Sequence, residues 1–347
     1  MKQSFILIFL LVLNSTVQAQ YSDLQKNPFH KAYHDSLKAM NYPYTFPIWG
    51  KKAYKKGFDV PYPWGGGVNY FWAKQEITIS EISVGFNDRA PIDLSDVITF
   101  GKATSTANAY TIRPDLFVFP FLSIYGILGF GTGVTEVPVA EPISFKTSTE
   151  SKVTSAGFGF TAAGGFQGVI IILDNNFNWV NTEKLTELVP AYNFAGRLAH
   201  MFKSSMRADR SITMWLGAFY QKIRADTKGV IKVNELFPGA TDAQKQKIEG
   251  QLDDWLTRLS TEQRTVGEDI VEKIKDHFAG IDPGNGTITY QLNKKIAGPW
   301  NMIFGGQFQF NKNWMFRVEM GAFGKRSQFL FSGNYRFQSI KRKSTQP

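Results

Sequence analysis

The segment from Trp300 to Phe337 alternates apolar or small side chains with polar ones at every second position, and this pattern limits the fold most. Two polar breaks, Asn311-Lys312-Asn313 and Gly324-Lys325-Arg326, divide the segment into three parts. Because side chains alternate between the two faces of a β-strand, the pattern predicts a three-stranded meander with one apolar and one polar face. In a water-soluble sheet the apolar face covers a core, whereas in a membrane barrel it faces lipid and the polar face lines the interior.

The start of the chain favours the membrane alternative. Lys2 precedes an apolar run from Phe5 to Leu13, and Val17 and Ala19 fit a signal-peptidase site after Ala19. The run is too short to span about 30 Å of hydrocarbon, so residues 1–19 are predicted to be a signal peptide. The sequence contains no Cys, which excludes a lipoprotein anchor, a disulfide framework and a thiolate metal site.

The composition agrees with a barrel. Aromatic residues make up 15% of the chain, with 30 Phe and 31 Gly, while the mean hydropathy is −0.21. A lipid-facing surface and its interfacial girdles use aromatic residues, and a wet interior keeps the average polar. The alternative is an aromatic-rich secreted β-sandwich or carbohydrate-binding protein.

Further alternating segments upstream complete the predicted fold. Together with the meander they predict about ten membrane strands, with twelve as the alternative, because single-chain bacterial barrels use even numbers. The predicted fold is all-β, a transmembrane antiparallel β-barrel of about 10-12 strands over residues 66–338, with an inserted amphipathic helical hairpin. Residues 20–65 are interpreted as a periplasmic arm or a plug in the barrel mouth, and residues 339–347 as a basic C-terminal tail.

Three local features are expected within the barrel. Residues 136–152, rich in Glu, Pro, Ser and Thr, are predicted to form a long loop. Gly164-Gly165 is predicted to form a turn. Pro114 lies inside a strand and removes a ladder donor, so a bulge is expected there.

Residues 225–283 interrupt the strand pattern. Apolar residues at helical spacing predict an amphipathic helical hairpin in an extracellular loop. This segment contains 12 acidic and 8 basic residues, a net charge of −4 (8 − 12) against +10 for the whole chain. Its apolar stripes pack on each other, cap the barrel, or bind a partner, in which case the contacts are Ile248, Leu252, Trp255, Leu259, Ile270 and Ile274. The next alternating segment, residues 288–293, is predicted to pair with Val230–Val233 as an extracellular extension.

Charged residues occupy the polar phase of several predicted strands. If the apolar phase faces lipid, these side chains point into the lumen. They then form a structural ladder of ion pairs, or they select anionic solutes. The lumen-facing candidates are Arg113, Asp115, Arg197, Arg317, Glu319 and Arg336.

Motifs for catalysis or metal binding are missing from the sequence. No G-x-S-x-G, P-loop or paired-Cys motif occurs, so we predict no enzyme and no cofactor. His30 and His34 would share a helix face, but no further ligand has metalloprotease spacing, and no metal site is predicted. A lipase would need a Ser–His pair such as Ser332 and His200, and nothing in the sequence brings those two together.

Residues 68–337 resemble the outer-membrane β-barrel proteins of double-membraned bacteria. The ending Phe329-x-Phe331-x-x-x-Tyr335-x-Phe337 resembles the C-terminal signal read by the barrel-insertion machinery, although Gln338 to Pro347 follow it. Residues 113–126 resemble uncharacterised barrels of this class. The resemblance implies an outer-membrane location and contact with outer-membrane lipid and, through the last strand, with the assembly machinery. It identifies no substrate.

Three functions are compatible with the sequence. The first is an outer-membrane barrel that moves or binds a small solute, anionic or amphipathic. The second is a surface interaction protein that uses the helical insertion and the long loops, and the third is an outer-membrane enzyme that acts on lipid. Nucleic acid is not expected as a partner, because no recognition motif accompanies the basic charge.

Overall fold

The structure, a computed structural model, covers most of the chain. Residues 1–19, the predicted signal peptide, and residues 339–347, the predicted basic tail, lie outside the described residues. The described residues are 28–86, 91–95, 98–141, 145–166, 168–183, 185, 187–223, 226–232, 242–259, 264, 267–269, 271–272, 275–276 and 287–338.

The elements with described bounds are mostly long strands. In chain order they are α1 (Pro28–Ala39), α2 (Gly50–Lys55), β1 (Trp64–Phe86), β2 (Ile92–Asp93), β3 (Thr99–Phe100), β4 (Ala103–Phe119), β5 (Leu122–Glu141), β6 (Phe145–Phe166), β7 (Val169–Thr182), β8 (Val189–Lys203), β9 (Ser211–Ile223), β10 (Asp226–Lys232), α3 (Asp242–Arg258), β11 (Thr287–Ile296), β12 (Trp300–Gln309), β13 (Trp314–Ala322) and β14 (Arg326–Phe337).

Ten of these strands close into an antiparallel barrel. Its ring order is β1-β14-β13-β12-β9-β8-β7-β6-β5-β4, and β4 returns to β1. The seam between β1 and β14 runs from Trp64 opposite Phe337 to Gln75 opposite Arg326. The predicted barrel, its ten strands and the C-terminal meander are therefore confirmed.

The two faces of the wall differ as the alternation predicts. Exposed apolar side chains cover the outside, including Val68, Ile112, Leu128, Phe158, Leu198, Leu216, Phe304, Val318 and Phe331. Buried polar side chains face inward, including Asn69, Ser123, Asp174, Arg197, Thr213, Asn301, Glu319 and Gln328. So large an apolar surface is stable only against lipid, so this is the exterior of a membrane-spanning barrel.

Aromatic pairs lie on the outer surface towards both ends of the barrel. Near one end, Trp314 and Tyr335 have ring centroids 4.9 Å apart. Near the other, Tyr220 and Trp300 lie 5.0 Å apart. We call the first end, which holds the connections at residues 120–121, 167–168, 204–210 and 310–313, the turn end, and the opposite one the loop end. Such aromatic residues typically lie at the membrane–water interfaces.

Three local predictions are wrong. Residues 136–152 are largely strand, since β5 continues to Glu141 and β6 begins at Phe145. Gly164-Gly165 belongs to β6, and the turn lies around Gly168, whose φ is +81°. The pairing of β4 and β5 keeps one register on both sides of Pro114, and the irregularity lies between Phe117 and Phe119 instead.

These errors have a physical cause. Residues 135–141 and 145–153 extend beyond the lipid-facing belt and lose the regular apolar–polar alternation, because residues 137–140 are apolar in both phases and residues 146–152 are polar in both phases. The strands persist because Thr and Val favour extended backbone. Pro114 is accommodated between Gly66 on β1 and Gly126 on β5, where its ring meets no bulky side chain.

A sheet extension rises from the loop end. Above the seam, β1 pairs with β11 from Ile77 opposite Ile296 to Phe86 opposite Ile288. β11 then pairs with β10, with Val230 opposite Thr289. The predicted pairing of Val230–Val233 with the 288–293 segment is confirmed for Val230 and Ile231, whereas Val233 lies outside the described residues.

The N-terminal residues 28–63 fold into a compact cap, built on α1 and α2, at the turn end. Leu37, Tyr54 and Val60 form its core. It contacts the barrel turns through backbone bonds from Ile48 to Val118 (2.8 Å) and from Phe117 to Pro63 (2.8 Å). The cap is therefore folded around its own core and packed against the turn end of the barrel.

A polar cluster fixes this cap to the 310–313 turn. Lys312 Nζ lies 2.8 Å from Asp59 Oδ1, and Tyr33 donates a hydrogen bond to Asp59 Oδ2 at 2.6 Å. Burial and the nearby Asp59 charge raise the pKa of Tyr33. Burial opposes the charge of Lys312, but the attraction of Asp59 outweighs it and raises the pKa of Lys312.

The helical insertion packs on the barrel's sheet extension. Leu252 and Trp255 of α3 are 1% and 6% exposed, and they pack with Leu94 and Val271. Ile82 and Val84 of β1 lie against this cluster. Among the described residues, no helix is long and apolar enough to cross a membrane.

Three of the six proposed partner contacts belong to this cluster, and the other three lie wholly or partly outside the described residues. Leu252 and Trp255 are already buried within the chain, and Leu259 packs against the same cluster, so none of the three offers a free surface. The side chain of Ile248 and all of Ile270 and Ile274 lie outside the described residues.

Candidate functional site

The centre of the lumen is organised around the carboxylate of Glu319, on β13. Arg197 of β8 donates two hydrogen bonds to it, from Nε to Oε2 (2.6 Å) and from Nη2 to Oε1 (3.0 Å). Arg317 and Trp215 donate to Oε2 at 2.8 and 2.9 Å. Glu319 is 3% exposed and Arg197 is 7% exposed. The pairing crosses the lumen, because β8 and β13 are separated in the ring by β9 and β12.

A second carboxylate, Asp174 of β7, lies on the neighbouring part of the wall. Tyr125 and Thr161 donate hydrogen bonds to its two oxygens at 2.7 and 2.6 Å. Arg113 Nη2 lies 3.7 Å from Asp174 Oδ2, and its guanidinium stacks 3.5 Å from the Tyr125 ring centroid. Asp174 thus joins four strands, β4 to β7, on the inside of the barrel.

A third ion pair joins the barrel to the cap at the turn end. Arg336 of β14 pairs with Asp115 of β4, with Nη1 2.9 Å from Oδ1. Its Nε donates to the backbone oxygen of Tyr62 at 3.1 Å, and its guanidinium lies 4.3 Å from the Phe117 ring centroid. Displacing the cap would therefore break a hydrogen bond made by a buried cation.

Amide side chains continue the network from Asp174 towards the loop end. Asn176 lies 3.5 Å from Asp174 Oδ1, and its own Oδ1 accepts hydrogen bonds from Asn178 (2.6 Å) and Asn193 (2.8 Å). Gln221 then donates to Asn193 Oδ1 at 3.0 Å. An amide side chain can both donate and accept, so this chain of amide hydrogen bonds extends along the lumen without added charge.

This chain of amide hydrogen bonds ends at Arg326, the first residue of β14. Its Nε donates to Gln328 Oε1 at 2.7 Å and its Nη1 donates to Gln75 Oε1 at 2.9 Å and to Gln221 Oε1. The guanidinium lies between two rings, 5.7 Å from Phe71 and 4.8 Å from Phe219. Arg326 is only 4% exposed.

The wall contains a cleft close to this arginine. Its volume is about 580 Å³, and its lining combines outward-facing aromatic side chains with lumen-facing Asn178, Ala191 and Gln221. The outward-facing set is Phe177, Trp179, Tyr192 and Tyr220. The cleft opens where the pairing of β9 with β12 ends, at Tyr220 opposite Trp300. Lys222 and Lys295 also line it.

All six lumen candidates from the sequence lie inside the barrel. The structure pairs Arg197 and Arg317 with Glu319, and Arg336 with Asp115. Arg113 pairs with Asp174, which the sequence analysis did not single out.

Sequence reasoning missed Asp174 and Arg326 for different reasons. Asp174 follows the run Val169 to Leu173. Every position of this run is apolar, so the sequence does not show which face of the strand points inward. Arg326 was placed in a turn. It shares the phase of Gln328, Ser332 and Arg336, so extending the alternation of β14 by one step would have found it.

The residues considered for other chemistry are not brought together. Ser332 lies in the lumen and donates to Asn69 Oδ1 at 2.5 Å. His200 belongs to the outward-facing phase of β8, between exposed Leu198 and Phe202. His30 and His34 contact different backbone oxygens, those of Ser204 and Gly57. Within the described ranges, no group of three or more His, Asp or Glu side chains has the arrangement of a metal site.

Comparison with known proteins gives distant fold similarities. No family model matches the chain, and no curated protein matches it. It is similar to the outer membrane protein OprG from Pseudomonas aeruginosa, with 11% identity, a TM-score of 0.36 and coverage of 80% of this chain and 98% of that one.

Two further similarities have the same character. The β domain of the Bordetella autotransporter BrkA has 8% identity and a TM-score of 0.37, covering 79% of this chain and 100% of that one. The Ralstonia pickettii toluene transporter TbuX has 9% identity and a TM-score of 0.29, covering 80% and 90%. Likenesses this distant assign neither a family nor a substrate.

Proposed function

We propose that the protein is an outer-membrane barrel that binds and conducts a small anionic or amphipathic solute through a gated lumen. The observation that carries this proposal is the charge balance of the lumen. Among the described residues, five arginines line it, Arg113, Arg197, Arg317, Arg326 and Arg336, against three paired carboxylates, Asp115, Asp174 and Glu319. The difference, 5 − 3, is two positive charges, and charges lining a pore select the ions that pass.

Gating is inferred from packing. Tyr125, Trp215 and Ile303 face the lumen and are 4%, 7% and 0% exposed, so side chains fill its middle. The cap covers the turn end and hydrogen-bonds to Arg336. Passage of a solute through the barrel requires these contacts to rearrange, which favours a gated or binding barrel over a permanently open pore.

The alternative of a surface interaction protein has weaker support. Its proposed contacts on α3 include Leu252 and Trp255, which are buried against β1 and Leu94. A partner would have to displace the helix before reaching them.

Planar-bilayer conductance tests the proposal. We expect the wild-type barrel to give rare, small openings, and Lys312→Met to give frequent ones, because that substitution removes the cap's ion pair with Asp59. In a KCl gradient the reversal potential should show preference for chloride.

The matched control is Lys325→Met, which removes a cation from the exposed turn between β13 and β14 at the loop end. It should leave the opening frequency unchanged. Openings that prefer potassium would refute the proposed function. It would also be refuted if Lys312→Met showed no conductance and the barrel bound no anion.

A further inference from the structure

Arg326 differs from the other lumen arginines in its partners. Arg113, Arg197, Arg317 and Arg336 each lie beside a carboxylate. The hydrogen bonds of Arg326 to the described residues all reach amide oxygens, those of Gln75, Gln221 and Gln328. Burying a cation without a counter-charge costs free energy. The burial of Arg326 is therefore explained if a ligand supplies the missing negative charge.

Several hydrogen-bond donors around Arg326 are unused. Within the described part of the chain, neither its Nη2 nor the amide nitrogens of Gln75 and Gln328 donate a hydrogen bond. Because each of these glutamine oxygens accepts from the guanidinium, the nitrogen of the same amide group lies beside the guanidinium. The site is therefore rich in donors, and an oxyanion is the ligand that accepts from such a set.

Apolar surface adjoins this polar centre. Phe71 and Phe219 flank the guanidinium, and Gln221 lines the wall cleft on its other side. The cleft contains Ile223, Ile296 and Pro299 and reaches the outward-facing aromatic side chains Trp179 and Tyr220. Gln221 therefore belongs both to the Arg326 cluster and to the lining of the wall cleft.

We infer that Arg326, Gln75 and Gln328 bind the carboxylate of a single-chain amphipathic acid, and that the acid's apolar chain lies in the wall cleft. One carboxylate carries one negative charge, which balances the single unpaired guanidinium, whereas a phosphate dianion would exceed it. Lys222 and Lys295 line the cleft and favour the approach of an anion. The inference rests on the proposed function and names the class of solute for it.

Octanoate binding to the purified full-length barrel tests this inference. It is measured by calorimetry in detergent, with octanol as the uncharged analogue and inorganic phosphate as the anion without a chain. Arg326→Gln should weaken octanoate binding about tenfold or more, since it removes a buried charge-assisted interaction. Arg326→Lys should keep part of the affinity, and Lys325→Gln, the same charge change one residue away, should keep all of it.

A second variant tests the cleft and does not depend on the arginine. Ala191→Phe places a ring among the cleft-lining residues and should weaken octanoate several-fold while leaving acetate binding unchanged. Heat-modifiable gel mobility confirms that each variant is a folded barrel before it is titrated.

The outcomes separate this inference from the proposed function. Octanoate affinity equal in wild type and folded Arg326→Gln overturns the site, even if the barrel conducts chloride. Octanol binding as tight as octanoate, or phosphate binding tighter than octanoate at Arg326, overturns the ligand class. Octanoate binding through Arg326 in a barrel that never conducts supports the site and refutes conduction.

Discussion

The two halves of the lumen bury arginine in opposite ways. Around Glu319, Arg197 and Arg317 share a carboxylate that also accepts from Trp215, so each buried cation lies beside a counter-charge, although Arg197 Nη1 and Arg317 Nε have no hydrogen-bond partner among the described residues. Towards the loop end, Arg326 is buried equally well, but only amide oxygens and two aromatic rings surround it. The first arrangement places a carboxylate beside each buried guanidinium. The second leaves a charge for something else to neutralise.

The difference also matches the two ends of the barrel. The turn end is covered by the cap, which contacts Arg336 through the Tyr62 backbone. Near the loop end the wall has a cleft that Gln221 lines beside Arg326. The Arg336–Asp115 pair therefore lies towards the capped end, and Arg326 lies towards the end with the wall cleft.

The largest effect is expected from Glu319→Leu. This change leaves Arg197 and Arg317 buried without a counter-charge, and the free energy of unfolding should fall by about 3–5 kcal/mol. Urea unfolding in lipid, followed by the heat-modifiable mobility shift, measures it. Glu76→Gln, which breaks a pair with the exposed Lys102, is the control and should cost less than about 1 kcal/mol.

A much smaller loss is expected from Arg326→Met in the same unfolding assay without ligand. Methionine fills a similar space between Phe71 and Phe219, and no carboxylate is left unpaired, so the change should stay within about 1 kcal/mol. A loss equal to that of Glu319→Leu would show that the two arginines play the same structural role, and the contrast between the halves would fail.

Asp59→Asn should loosen the cap without unfolding the barrel. The substitution removes the charge that holds Lys312 and weakens the bond from Tyr33, so amide hydrogen exchange should accelerate in α1 and α2 alone. Asp35→Asn is the matched control, because Asp35 pairs with Lys38 within α1 and not with the barrel. Equal exchange rates in both variants would mean that the Asp59 cluster does not hold the cap.

The smallest effect is a weak pH dependence of cap docking. Burial lowers the pKa of His34, which contacts the Gly57 oxygen and lies near Lys203, His30 and Asp59. Since the docked state disfavours the protonated ring, docking is strongest above the ordinary histidine pKa of about 6.5 and weakens as the pH falls below it. Hydrogen exchange of α1 at pH 7.5 and 5.5 measures this, and His34→Gln should remove the difference.

Much of the barrel could be predicted because lipid imposes a simple rule on its wall. Wherever strands cross the belt, one face is apolar, and the alternation around Arg317 and Glu319 correctly identified their shared inward face. The rule fails where lipid is absent. Within the 136–152 region, β5 continues to Glu141 and β6 begins at Phe145 without that alternation, and only the backbone pairing of these two strands reveals them.

The candidate site was predictable only in part. Periodicity places a side chain on a face, but it does not pair strands that are distant in sequence. The contact between Arg197 and Glu319 spans 122 residues, and nothing local encodes it. The packing of Trp255 on β1 and of the cap on the barrel turns could not be predicted from local sequence either. Both depend on surfaces that exist only after the barrel has closed.

The seam between β1 and β14 determines when this chain can finish folding. It pairs the first barrel strand with the last, and Gln75 and Arg326 are 251 residues apart. Contacts of such separation form slowly, since a long loop must close before they stabilise anything. Until β14 arrives, both seam edges expose unpaired backbone groups that invite pairing with other chains. Closure of the seam is therefore the last step of barrel formation, and both seam edges stay unpaired until β14 is in place.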